Sequence, residues 1–221
     1  MKRLACFVVC FAGLAAFAPS APALARPCAP KTLAPRPTET PDAEADRIRK
    51  AGGVLKSNYV PAGQSERHGH AEVVIAAPQE IVERHVRAFG QWKDLVPDKF
   101  KTSRIVGKEG DDTDVYMQIQ IMKGFVTLWE IMRFSPTKTV VPGTSAIEGK
   151  YLKGNLKDSH ALFVMRKVDD RTTVLKVDIL ISLAIAAPQE IIDEELRDYA
   201  GDAVRGLREK AEAAAKAEGR Q

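Results

Sequence analysis

The sequence is poor in cysteine, carries no strong excess of one charge, and has a single long apolar run. Three cysteines occur in 221 residues, and 33 basic side chains face 29 acidic ones for a formal net charge of +4. That balance argues against a nucleic-acid partner, which would need basic residues clustered on one face. No G-x-S-x-G, phosphate-binding glycine loop or G-x-G-x-x-G occurs, so the common hydrolase, nucleotide and dinucleotide signatures are absent. With 45% apolar and 28% charged residues, collagen-like, mucin-like and wholly disordered chains are also excluded.

The apolar run lies at the start. Lys2 and Arg3 precede an uncharged stretch from Leu4 to Ala18, Pro19 ends it, and small residues lead to Ala23-Leu24-Ala25. As a helix the run would span about 22 Å, short of the roughly 30 Å hydrocarbon core of a bilayer. This pattern predicts a cleaved secretory signal over residues 1–25 and a periplasmic or secreted mature chain, the alternative being an uncleaved anchor. Cleavage would remove Lys2, Arg3, Cys6 and Cys10, which leaves Cys28 as a lone thiol and forbids an intramolecular disulfide. Pro27 sits where a lipoprotein signal needs a small residue.

Residues 26–53 read as a proline-rich linker, with Pro27, Pro30, Pro35, Pro37 and Pro41, and a possible short helix over Asp42–Ala51 stopped by Gly52-Gly53. A domain follows over 54–217. Val54–Val60 and His70–Ile75 read as strands, and Pro78 opens a helix with Ile81, Val82, His85, Val86 and Phe89 at helical spacing. Five strands come next, at Lys101–Lys108, Asp114–Met122, Phe125–Phe134, Ser159–Val168 and Thr172–Ala184. Turns at Glu109–Asp112, Lys123-Gly124 and Asp169–Arg171 imply antiparallel neighbours. Between Ser135 and Asp158 the pattern weakens, with strand pieces at Val140-Val141 and Ser145–Tyr151. A long helix closes the chain from about Pro188 to Ala217, its last turns from Ala213 expected to fray. The heptapeptide Ile75–Ile81 recurs as Ile185–Ile191, each copy ending a strand and feeding a proline-started helix. The order predicts an α+β fold.

Alternation assigns faces. Val115, Met117, Ile119 and Ile121 share one side of their strand, and Leu175, Val177, Ile179 and Ile181 one side of theirs, with polar residues opposite. The last helix offers a stripe with Leu196, Tyr199 and Ala203 to cover this apolar face. On the strand Phe125–Phe134, the side bearing Phe125, Trp129, Ile131 and Arg133 is read as facing the ligand, with Arg133 as an anchor for an anionic head group. Glu130, three residues from Arg133, then points the other way. His85, His160, Glu130, Arg133 and Tyr116 are the possible acid–base groups, none paired by spacing, so no catalytic residue is assigned. His68-x-His70 is read as two exposed loop histidines, and no metal or cofactor is expected.

The stretch Ala71–Val82, then Phe89, Trp92, Leu95 and Pro97, resembles the opening of proteins of the START-like, or SRPBCC, superfamily. Ile147–Tyr151, Leu162–Arg166 and Thr172–Ile181 resemble its closing strands. The likeness covers about residues 54–215 and is nearest the polyketide-cyclase/dehydrase and coenzyme-Q-binding branch. It implies a helix-grip fold, in which a curved antiparallel sheet wraps a long C-terminal helix around a hydrophobic cavity. Members carry lipids, sterols, quinones or plant hormones, and some cyclise polyketides. The oxygenase branch would need a Rieske cluster, and the mature chain has too few cysteines for one. The resemblance therefore implies a carrier of one hydrophobic small molecule (a lipid, sterol or isoprenoid quinone), with transient membrane contact. The alternatives are a cyclase- or hydrolase-like enzyme on the same fold and an interaction module without a cavity.

Overall fold

Alternating side chains organise the molecule. In β4 (Asp112–Ile121) every odd residue from Thr113 is buried and every even one is partly exposed, which makes one face of the sheet core and leaves the other wet. The structure, a computed structural model, describes residues 38–185 and 187–219. The signal segment, Cys28 and most of the proline-rich stretch lie outside the described residues.

The remaining strands are β1 (Val54–Tyr59), β2 (His68–Ile75), β3 (Phe100–Glu109), β5 (Val126–Phe134), β6 (Lys138–Val141), β7 (Thr144–Gly154), β8 (Leu156–Lys167) and β9 (Thr173–Leu183). Among the described residues they form one curved, unclosed sheet in the order β1-β2-β9-β8-β7-β5-β4-β3, with β6 paired to β7 and every pairing antiparallel. Where the sequence pattern weakens, β6 and β7 nevertheless form. Gly149 and Gly154 thin the apolar signal in β7 because β5 packs so close: a Cβ on Gly149 would overlap the Phe134 ring, and one on Gly154 the Trp129 carbonyl.

Among the described residues three α-helices flank the sheet: α1 (Pro41–Lys50), α2 (Gln79–Val86) and α3 (Gln189–Ala217). The Thr40 side chain caps α1 by accepting the Ala43 N–H at 3.3 Å. Ala45 and Ile48 of α1 are fully buried with Val174 against the outer face of the sheet. Glu44, 1% exposed, is held there by Arg166 at 2.9 Å and by Lys176.

On the inner face lies α3, with Leu196, Tyr199, Val204, Leu207 and Ala211 in the core. Its end does not fray where expected, since the helix continues to Ala217 with Ala215 fully buried. Two backbone approaches fix its depth. A Cβ on Gly69 of β2 would overlap the Leu196 carbonyl, and one on Gly206 the Leu95 carbonyl. Phe89 and Trp92, between α2 and β3, pack with Phe134 of β5, and the Trp92 indole N–H donates to the Val86 carbonyl at 3.1 Å. No helix among the described residues is long and apolar enough to cross a membrane.

Candidate functional site

Between α3 and the inner face of the sheet is a cavity of about 40 Å³. Met117 and Ile119 of β4, Glu130 and Met132 of β5, Ser159 and Phe163 of β8, and Ile179 and Ile181 of β9 form its sheet side. Tyr199, Ala203 and Leu207 of α3 close it, with Trp92 and Phe100 at one end. A second void of about 20 Å³ lies towards the start of α3, lined by Ile121, Met122, Leu183, Ile192, Glu195 and Leu196. Ile181 and Tyr199 border both voids, so moving that pair aside would join them. A water needs about 10–15 Å³ of such space, so the closed cavity admits about three waters, and a larger ligand requires the helix to give way.

Most residues assigned by alternation lie here. Met117, Ile119, Ile179, Ile181, Tyr199 and Ala203 line the main cavity, and Ile121 and Leu196 the second void. Val115, Leu175 and Val177 lie in the adjoining core at 0% exposure.

The assignment on β5 is inverted. Its buried residues are Leu128, Glu130, Met132 and Phe134, while Phe125 is 90% exposed and Trp129 37%. Phe125, Trp129, Ile131 and Arg133 are therefore not in the cavity. Trp129 stacks on Tyr116 across the outer face with ring centroids 6.3 Å apart. Arg133 forks onto Asp114, with Nε to Oδ1 at 2.7 Å and Nη2 to Oδ2 at 2.9 Å, and also meets Glu109. Protein acids thus engage the guanidinium on the outer face, away from the cavity. The sequence did contain the missed signal. Pairing Met122 with Phe125 around the Lys123-Gly124 turn continues to Met117 opposite Glu130, which is the register observed. Directly opposed residues share a face, so the apolar side of β4 required Glu130, and not Arg133, to point inward.

Glu130 is the unusual group of the cavity. It is 1% exposed, and its Oε2 has no hydrogen-bond partner. Burial pushes its carboxyl up to about 7; a hydrogen bond with Ser159 opposes the rise, and the Asp158 carboxylate adds to it. The Ser159 hydroxyl also lies 3.1 Å from the Leu180 carbonyl and has one proton to give, so these two acceptors compete for it. Facing from α3, Tyr199 is pushed well above its ordinary value, first by burial and then by Glu130.

The other acid–base candidates are scattered. His85 stands on α2, away from both voids, and Tyr116 lies on the outer face under Arg104, 4.9 Å from the ring centroid. His160 borders the cavity, but its ring turns to the outer face and Nε2 hydrogen-bonds Glu148 at 3.0 Å. His68 and His70 lie on β2 and are not loop residues: His68 is 1% exposed, and His70 sits between Asp178 at 2.6 Å and Glu72 at 3.0 Å. Burial disfavours the His70 imidazolium, but the two carboxylates outweigh it and raise the ring to about 9. Both its nitrogens are held, so the ring stiffens the sheet and is not available as a base.

Polar bonds tie α3 to the rest of the fold along its length. Glu195 accepts the Met122 N–H at 3.0 Å and Lys99 Nζ at 2.7 Å, and Asp193 meets Arg67 at 2.5 Å and Gln189 at 2.8 Å. Farther along, Asp198 meets Lys56 at 2.8 Å, Glu212 accepts the Ala76 N–H at 3.0 Å and Glu218 meets Arg84 at 2.6 Å, beside the apolar packing of Ala200, Val204, Leu207 and Ala211.

No family model matches the chain, and no curated protein matches it. Solved structures do. A STAR-related lipid transfer protein from Xanthomonas axonopodis is similar with a TM-score of 0.62 at 12% identity, over 72% of this chain and 93% of that one. Human StAR-related lipid transfer protein 5 gives 0.62 at 12%, over 79% and 95%. The di-domain ARO/CYC StfQ of the steffimycin biosynthetic pathway gives 0.50 at 15%, over 66% of this chain and 45% of that one. At these identities the likeness is one of fold: the chain has the helix-grip α+β fold of START-like proteins.

Proposed function

We propose that this START-like chain is a secreted or periplasmic carrier of one hydrophobic small molecule, a lipid, sterol or isoprenoid quinone, held between the sheet and α3. The observation that carries the reading is the predominantly apolar lining of the two voids that share Ile181 and Tyr199. Opening the Glu195 and Asp193 clasps frees the first turns of α3, joins the voids and admits the ligand. Apolar burial at about 25 cal/mol per Å² then drives binding. The fold neighbours named for lipid transfer support the same reading.

Native mass spectrometry of the mature protein, before and after organic extraction, tests it. A stoichiometric extra mass that leaves on extraction supports the carrier. An apo mass that takes up no added lipid, sterol or quinone refutes it.

One observation favours a second reading, a cyclase-like enzyme on the same fold. Glu130 combines burial beside the ligand space with a carboxyl tuned to about 7, the range that suits a general acid. Turnover of a polyketone by the wild type, abolished in Glu130→Gln, would establish the enzyme. A carrier binds without turnover.

A further inference from the structure

We infer that Glu130 is the polar anchor of the cavity and selects ligands whose buried polar group is an uncharged hydroxyl or carbonyl, rejecting carboxylate and phosphate head groups. This rests on the reading that the cavity binds a hydrophobic molecule, and it names the chemistry of that molecule's polar end.

The geometry comes first. Glu130 projects from β5 into a space otherwise lined by Met117, Ile119, Met132, Phe163 and Ile179. One carboxyl oxygen is left without a partner at 1% exposure. A buried polar atom without a hydrogen bond is destabilising by about 1–3 kcal/mol, and a ligand that supplies the bond removes that penalty.

Charge decides which ligand can do so. Among the described residues, no lysine or arginine lines the main cavity. The titratable groups around the carboxyl are Tyr199 from α3 and Asp158 and His160 from β8, and the His160 ring is turned away to Glu148. Trp92, Leu95, Val96 and Phe100 at the end of the cavity carry no charge. An anionic head group would enter an apolar space with no cation to receive it and a carboxylate, Asp158, already adding negative potential. A hydroxyl can donate to or accept from the carboxyl, and a carbonyl can accept from its protonated form. Burial keeps that form populated near neutral pH. Ser159 and Tyr199 beside it complete a small polar end in a greasy pocket.

The test compares probes of matched length that differ only at the head: hexadecane, hexadecanol, methyl tetradecyl ketone and hexadecanoate. Each competes with the neutral dye N-phenyl-1-naphthylamine on delipidated full-chain protein at about pH 6, where the acid probe is ionised in water while most of the Glu130 carboxyl keeps its proton. Wild type should bind the alcohol and ketone about tenfold more tightly than hexadecanoate, the scale of one buried hydrogen bond or unpaired charge. Glu130→Leu should weaken the alcohol and ketone several-fold relative to hexadecane, with hexadecanoate still disfavoured for want of a cation, whereas Glu130→Gln, which still donates and accepts, should keep the wild-type ratio of alcohol to hexadecane. Equal alcohol-to-hexadecane ratios in wild type and Glu130→Leu, or hexadecanoate bound most tightly by wild type, overturn the anchor while leaving the binding reading standing. Failure of the dye and all four probes to bind overturns the binding reading and the anchor with it.

Discussion

Replacing Glu130 by glutamine should stabilise the ligand-free protein, and by an amount that depends on pH in a defined direction. The Glu130 carboxyl rises from an ordinary 4.5 to about 7 on folding. A raised folded value means that the native state holds the proton more tightly than the unfolded chain does. Stability from this group is therefore complete below about pH 4.5 and lost as pH climbs through about 7. A shift of that size at about 1.4 kcal/mol per unit makes the loss about 3 kcal/mol, an order-of-magnitude figure for a side chain 1% exposed. Glutamine has a similar shape and no proton to lose. The stability gap between Glu130→Gln and wild type should thus widen by about 3 kcal/mol between about pH 4.5 and pH 8. With a urea slope of about 2 kcal/mol per molar, the midpoints should separate by about 1.5 M. Urea melts of delipidated wild type and variant across that range measure the gap, and every other titrating group cancels in the difference. A gap that stays constant with pH refutes the buried, unpaired carboxyl and the account of the cavity's polar end.

The remaining predictions concern the clasp, the seat of the helix and the outer face. Glu195→Gln weakens the bond to Lys99 at the mouth, so stopped-flow release of N-phenyl-1-naphthylamine should quicken several-fold; an unchanged rate rejects the clasp. Gly69→Val puts a side chain into the Leu196 carbonyl and should lower stability by about 2–3 kcal/mol in thermal or urea melts, with no loss refuting the close approach. His70 has its folded value raised to about 9, so the stability it contributes is complete below about pH 6.5 and lost as pH rises through about 9. The gap between wild type and His70→Gln should accordingly close over that window, and a gap that grows with pH would contradict the assignment. Arg133→Gln, altering a side chain paired with Asp114 on the outer face, should leave dye affinity within about twofold, whereas a tenfold loss would return Arg133 to the binding site.

The long-range order of this fold was legible because its signals are local. Val115, Met117, Ile119 and Ile121 alternate cleanly since β4 has one dry face and one wet one, and α3 shows its stripe over many turns. β7 was harder to read because Gly149 and Gly154 replace the apolar residues that would have marked it. The helix at Pro41–Lys50 has few apolar residues, and the two that matter, Ala45 and Ile48, gain their meaning from Leu55 and Val74 and from Val168 and Val174, the last two more than a hundred positions away.

The sequence by itself determined the α+β order, the antiparallel meander and the faces of β4, β9 and α3, because period and turn chemistry act over a few neighbouring residues. Tertiary structure decided which side of β5 is inside. Its outer side carries the more conspicuous aromatic and cationic residues, and only pairing with β4 turns Glu130 inward and leaves Arg133 on Asp114. It also decided the depth of the space under α3, through Gly69 against Leu196 and Gly206 against Leu95, since cavity volume depends on how closely backbones approach and periodicity carries no record of that distance. The charge state of Glu130 follows the same rule: its chemistry is set by burial and by the lack of a lysine or arginine among the described lining residues, and both are properties of neighbours brought together from β4, β8 and α3.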